Sequence, residues 1–86
     1  MLACGYDETA KALVDRWVET DPGSSAHHAT MRCDAEWFLY QLEKPLRLVS
    51  VRDLDRIFPV EQKHKLKDIA RNVEGFLRFC RAERVL

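Results

Sequence analysis

Three prolines constrain this chain more firmly than anything else in it. Pro22, Pro45 and Pro59 each remove a backbone donor and push the preceding residue away from helical dihedrals. Between them, apolar residues recur at spacings of three and four, and nowhere with the alternation of a half-buried strand. Asp7 is a good N-cap for a helix predicted over 8–20, with Ala10, Leu13, Val14, Trp17 and Val18 on one side. Asp21-Pro22-Gly23 turns the chain. Ser24 or Ser25 then caps a second helix over 25–43, whose apolar side is read as Ala29, Cys33, Trp37, Phe38, Tyr40 and Leu42. Lys44-Pro45 ends that helix, and residues 46–49 make a short apolar connector. Ser50 with Asp53 is a capping-box-like start for a short third helix over 51–58, with Val51, Leu54, Ile57 and Phe58 together. Pro59 suits a first helical position, so a fourth helix is predicted over 60–83. The expectation is an all-α, single-domain four-helix bundle across residues 1–86, its third helix short.

Composition narrows the function classes. At 47% hydrophobic and 33% charged, the chain has the apolar content for a core, which disfavours disorder. Its longest apolar run falls far short of the ~20 residues that cross a bilayer. Asp7 and Glu8 interrupt any signal-peptide layout at the start, so the expected address is cytoplasmic. Cys4, Cys33 and Cys80 form no CxxC pair, the wrong pattern for a disulfide framework or a zinc site. Cys33 and Cys80 are placed on apolar helix sides and expected to be protected from solvent.

Charge is balanced overall but not along the chain. Residues 1–59 carry seven Lys/Arg against ten Asp/Glu, and residues 60–86 carry seven against four. On a helical wheel started at Lys63, the apolar residues Leu66, Ile69, Ala70, Val73, Phe76, Leu77 and Cys80 fall within roughly 220–340°. Lys67, Arg78, Arg71 and His64 fall within roughly 40–100°, with Arg81 near zero. A core face and a basic stripe are thus separate surfaces of one helix, and Glu74 sits inside the stripe. Such a stripe is either a solvated face or a seat for an anionic partner.

Catalytic and metal chemistry find little to work with. His27 and His28 are adjacent, so on a helix they diverge by ~100° and do not face one ion together. Ser24, Ser25 and Ser50 are accounted for by cap positions. Gly5, Gly23 and Gly75 are too far apart for a phosphate loop. Asp53 and Asp55, like Asp34 and Glu36, sit two apart and point to different helix sides. No cofactor is implied, and no constellation forms an autonomous active site.

The order of elements carries a resemblance. The stretch from Ser25 to Leu42 holds Thr30, Asp34 and Phe38, matching residues of a pattern on the second helix of the tyrosine recombinase (phage integrase) core-binding domain. Ser50, Asp53 and Leu54 match the cap of that family's third helix, and Phe76, Leu77, Arg78 and Phe79 match the end of its fourth. The chain therefore resembles the N-terminal core-binding domain of that family, a four-helix SAM-like bundle, from about residue 8 to 86. Nothing resembles the family's Arg, His-x-x-Arg and Tyr catalytic set, so the resemblance implies a non-catalytic module. It is either a fragment of a longer recombinase or a small protein on the same bundle.

What the resemblance implies is grip on double-stranded DNA by the second and fourth helices, alongside further recombinase protomers. The residues that map onto those faces are His27, His28, Thr30, Arg32, Lys63, Lys67, Arg71 and Arg78. Lys and Arg there would contact phosphates and position the domain without reading sequence. The alternative is a small helical interaction module whose basic face meets an acidic protein.

Overall fold

The computed structural model describes residues 4–86. Helix α1 (Glu8–Glu19) begins where the Asp7 carboxylate accepts the Ala10 N–H at 2.8 Å, satisfying one of the donors that a helix start leaves unpaired. The face predicted for it is buried throughout: Ala10, Leu13, Val14, Trp17 and Val18. After the Pro22-Gly23 turn, the Ser24 hydroxyl accepts the His27 N–H at 3.2 Å and α2 runs Ser25–Gln41. The two helices are antiparallel. Near one end Arg32 pairs with Asp15, and at the other Tyr6 stacks on Tyr40 at 4.7 Å between centroids.

Helix α2 turns a different face inward from the one predicted. Met31, Ala35, Phe38, Leu39 and Leu42 are buried, whereas Ala29, Cys33 and Tyr40 are exposed and Trp37 is half-buried. Apolar residues occur all around this helix, so composition marks no single stripe. The buried set follows spacings of four, three and one, which is one helical face. Cys33 lies two residues from both Met31 and Ala35, about 200° round the axis from each. Its expected protection is therefore corrected, while Cys80 is buried as predicted. Burial, helped by Glu83 and opposed by Arg16, pushes the Cys80 thiol up to about 12, so it packs as a neutral group.

The end of α2 is closed from outside the helix. The Gly5 N–H donates to the Leu39 and Leu42 carbonyls at 3.0 and 2.8 Å, serving acceptors that have no partner within the helix. A Cβ on Gly5 would stand 2.9 Å from Leu42 Cδ2 and 3.1 Å from the Leu39 carbonyl oxygen. Only glycine lets the backbone come so near.

Past Pro45, one 3-10 turn (Leu46–Leu48) leads to the short helix α3 (Val51–Ile57). Asp53 is the sole polar or charged residue buried among those described. Its Oδ2 accepts the Ser50 N–H and hydroxyl, both at 2.9 Å, and lies 3.1 Å from Lys44 Nζ. The Ser50 backbone hydrogen bond, then Lys44 and the Ser50 hydroxyl, outweigh burial and hold this carboxyl below its ordinary 3.8. A depressed folded-state value means the contribution to stability is complete above the unfolded value and is lost as pH falls through the folded one. Asp53→Asn is therefore expected to lower the melting temperature by several degrees near neutral pH and by progressively less as pH falls below about 4. Thermal melts across that range check it; an equal deficit at every pH would remove the carboxylate from the account.

The fourth helix starts later than predicted. Pro59 opens only a 3-10 turn (Val60–Gln62), the chain turns again through residues 63–65, and α4 spans Lys67–Ala82. Between Val60 and Lys65 the only apolar side chain is Val60, which is 84% exposed. With no face to bury, that stretch lacks the packing that sustains most protein helices. From Lys67 onward the expected side faces inward: Val73, Phe76 and Cys80 are buried, and Ile69, Ala70 and Leu77 half-buried. Asn72 donates to Asp34 Oδ2 at 2.7 Å, joining α4 to α2, and Trp17 tilts against Phe76 at 5.4 Å. Helices α1, α2 and α4 make most of the core, to which Leu46 of the 3-10 turn and Ile57 of α3 add. Helix α3 lies against α2 where Phe58 stacks on Phe38 at 6.2 Å and tilts onto Trp37 at 5.8 Å. Among the described residues, no helix is long and apolar enough to cross a membrane.

Candidate nucleic-acid interface

The surface that gathers most of the predicted residues follows the outward side of α4. Lys63, on the turn before the helix, lies with Lys67 and Arg71 around a shallow hollow floored by Phe58, Leu66 and Ala70. Although Lys63 is not helical, the turn returns it to the side on which the wheel placed it. All three cations are exposed. None of them has a carboxylate within 4 Å among the described residues.

A second, larger hollow of about 450 Å³ continues along α4, between it and α3. Arg78 and Arg81 line its α4 side and Asp55 its α3 side, over Leu54, Val73 and Leu77. Phe58, Ala70 and Glu74 belong to both hollows, which therefore form one groove. Arg78 reaches back to Glu74 at 3.1 Å, with both side chains more than 70% exposed. An ion pair so open to water restrains the guanidinium only weakly.

The residues predicted on α2 are engaged elsewhere. His28 Nε2 lies 2.9 Å from the Asp21 carbonyl oxygen and 3.4 Å from its carboxylate, and His27 Nε2 is 3.8 Å from the same carboxylate. The Thr30 hydroxyl donates to the Ala26 carbonyl at 3.2 Å. Arg32 is held by Asp15, whose hydrogen bond raises the guanidinium above its usual range. Of the eight, the structure brings Lys63, Lys67, Arg71 and Arg78 onto one groove.

Arg81 is a further cation of the groove, outside the eight predicted residues, and its wheel angle, close to that of Lys63, is the signal that points to it. By sequence, Phe58 is an apolar residue of the third helix. Its second role, as the wall shared by both hollows, depends on where the Pro59 turn sends the chain. Among the described residues, no three His, Cys, Asp or Glu side chains gather in a way that would hold a metal ion. No family model, curated protein or solved structure matches this chain.

Proposed function

We propose that this protein is a non-catalytic module that grips double-stranded DNA, as the core-binding part of a tyrosine recombinase or integrase-like protein would. It would act with further protomers on the same duplex during DNA integration or recombination. The observation that carries the reading is the grouping of Lys63, Lys67 and Arg71, exposed and without a carboxylate within 4 Å among the described residues, with Arg78 farther along the same helix side. Cations in this state bind phosphate oxygens without first breaking a strong internal pair. Each phosphate neutralised releases counterions from the duplex, which ties affinity to salt concentration.

Four phosphate contacts give a slope of log affinity against log salt of about −3.6. Replacing Lys67 and Arg71 together by alanine is expected to weaken binding and flatten that slope by nearly two units. The melting temperature should hardly move, because exposed charges contribute little to stability. Titration of labelled duplex at several salt concentrations, beside a circular dichroism melt, checks both parts. A folded double mutant that binds DNA like the parent would reduce the stripe to a solvated face.

A further inference from the structure

Phosphate contact leaves half of the groove unexplained. A DNA backbone offers charge to the rim, but it has no apolar surface to set against the half-buried Leu54, Phe58 and Leu77. We propose that the groove between α3 and α4 also takes a partner protein's acidic amphipathic helix, in competition with DNA. Its apolar stripe would lie on the floor and its carboxylates on the α4 cations.

Shape and charge both point to that occupant. Ala70 and Leu77, both half-buried, stand two turns apart along α4 above the buried Val73, with Leu54 and Phe58 opposite them. This is the row of sockets that a helix with residues at i, i+3 or i+4, and i+7 fills. From Lys67 to Arg81 the wall is about 21 Å long, which suits a segment of some fourteen residues. Lys63, Lys67, Arg71, Arg78 and Arg81 stand around the two hollows against Asp55 and Glu74, an excess of positive charge. A helix flanked by Asp and Glu meets that excess, whereas a basic helix is repelled by it. The inference uses the same cations as the DNA reading but stands or falls separately from it, because its floor residues are of no use to a duplex.

The test uses two labelled synthetic peptides of about sixteen residues with identical Leu, Glu and Ala content. One places its leucines on a single helical stripe and the other scatters them around the helix. Fluorescence anisotropy with the whole protein should show the striped peptide binding at least about tenfold more tightly. Leu77→Ser should remove about tenfold of that preference while leaving duplex affinity within about twofold. Leu54→Ser, on the facing wall, serves the same purpose if circular dichroism shows Leu77→Ser unfolded. Unlabelled duplex should displace the striped peptide.

Equal binding of the two peptides would overturn the proposal and leave a purely ionic face. So would a striped-peptide affinity that neither serine variant alters. A dimer in sedimentation that Leu77→Ser dissociates would overturn it in favour of a second copy of this chain. Peptide binding without DNA binding would leave the helix-binding groove standing and remove both the DNA reading and the competition. DNA binding without peptide binding would overturn the inference and leave the DNA reading.

Discussion

Phe76→Ala is expected to destabilise the protein by roughly 3–5 kcal/mol, the range found when a buried aromatic ring is cut back to a methyl. Phe76 is fully buried, and its ring meets Trp17 of α1. It lies one turn beyond Asn72, which ties α4 to Asp34 of α2. A cavity at this point opens where all three core helices meet. Domains of ordinary stability have about 5–15 kcal/mol in total. The variant should therefore show a greatly lowered melting temperature, or no cooperative transition, by circular dichroism. A loss below about 1 kcal/mol would mean that the three-helix junction is not the centre of the core.

Gly5→Val is the second large effect expected, and it comes from too much volume. The Cβ alone would stand 3.1 Å from the Leu39 carbonyl oxygen, an atom fixed within α2, as well as 2.9 Å from Leu42 Cδ2. The two methyl groups of valine add to that crowding. Relief requires the segment to move away, breaking the hydrogen bonds from Gly5 to Leu39 and Leu42. Overpacking typically costs about 1–3 kcal/mol, and the lost hydrogen bonds take this site toward the upper end. Gly75→Ala is the control of opposite sign. A Cβ there meets Trp17 Cζ2 at 3.6 Å, an ordinary contact, so replacing a mid-helix glycine should stabilise by up to about 1 kcal/mol. Denaturant midpoints of both variants check the pair. Equal losses at the two positions would mean that neither glycine's surroundings are as described.

Where one face of a helix was apolar and the other charged, the sequence alone was a sound guide. Helix α1 buries the five residues its periodicity named, and α4 turns Val73, Phe76 and Cys80 inward. Helix α2 was harder to read because apolar residues surround it, and α1 and α4 together decide which of them is covered. The start of α4 was misplaced for a related reason. Pro59 is compatible with a first helical turn, but local compatibility does not supply the apolar partner that Val60–Lys65 lacks. Half of the candidate site was legible, since the angular grouping of Lys67, Arg71 and Arg78 needs only helix geometry. The apolar floor was not, because Leu54 and Phe58 come to face α4 only through the turns on either side of Pro59. Arg32 failed to join the site for a similar reason: its partner Asp15 is seventeen residues away, on another helix.

Phe58 has an optical consequence. Its ring forms part of both hollows and rests on Trp37 at 5.8 Å, so whatever fills the groove presses on a ring in contact with an indole. The other indole, Trp17, is buried beside Phe76 and Gly75 and is insulated from that disturbance. With Trp17 changed to phenylalanine, Trp37 would be the only indole emitter, and its wavelength and intensity would follow occupancy of the groove without an attached dye. That single emitter would serve as a built-in fluorescent gauge of the proposed binding, readable in a cuvette with either nucleic acid or peptide.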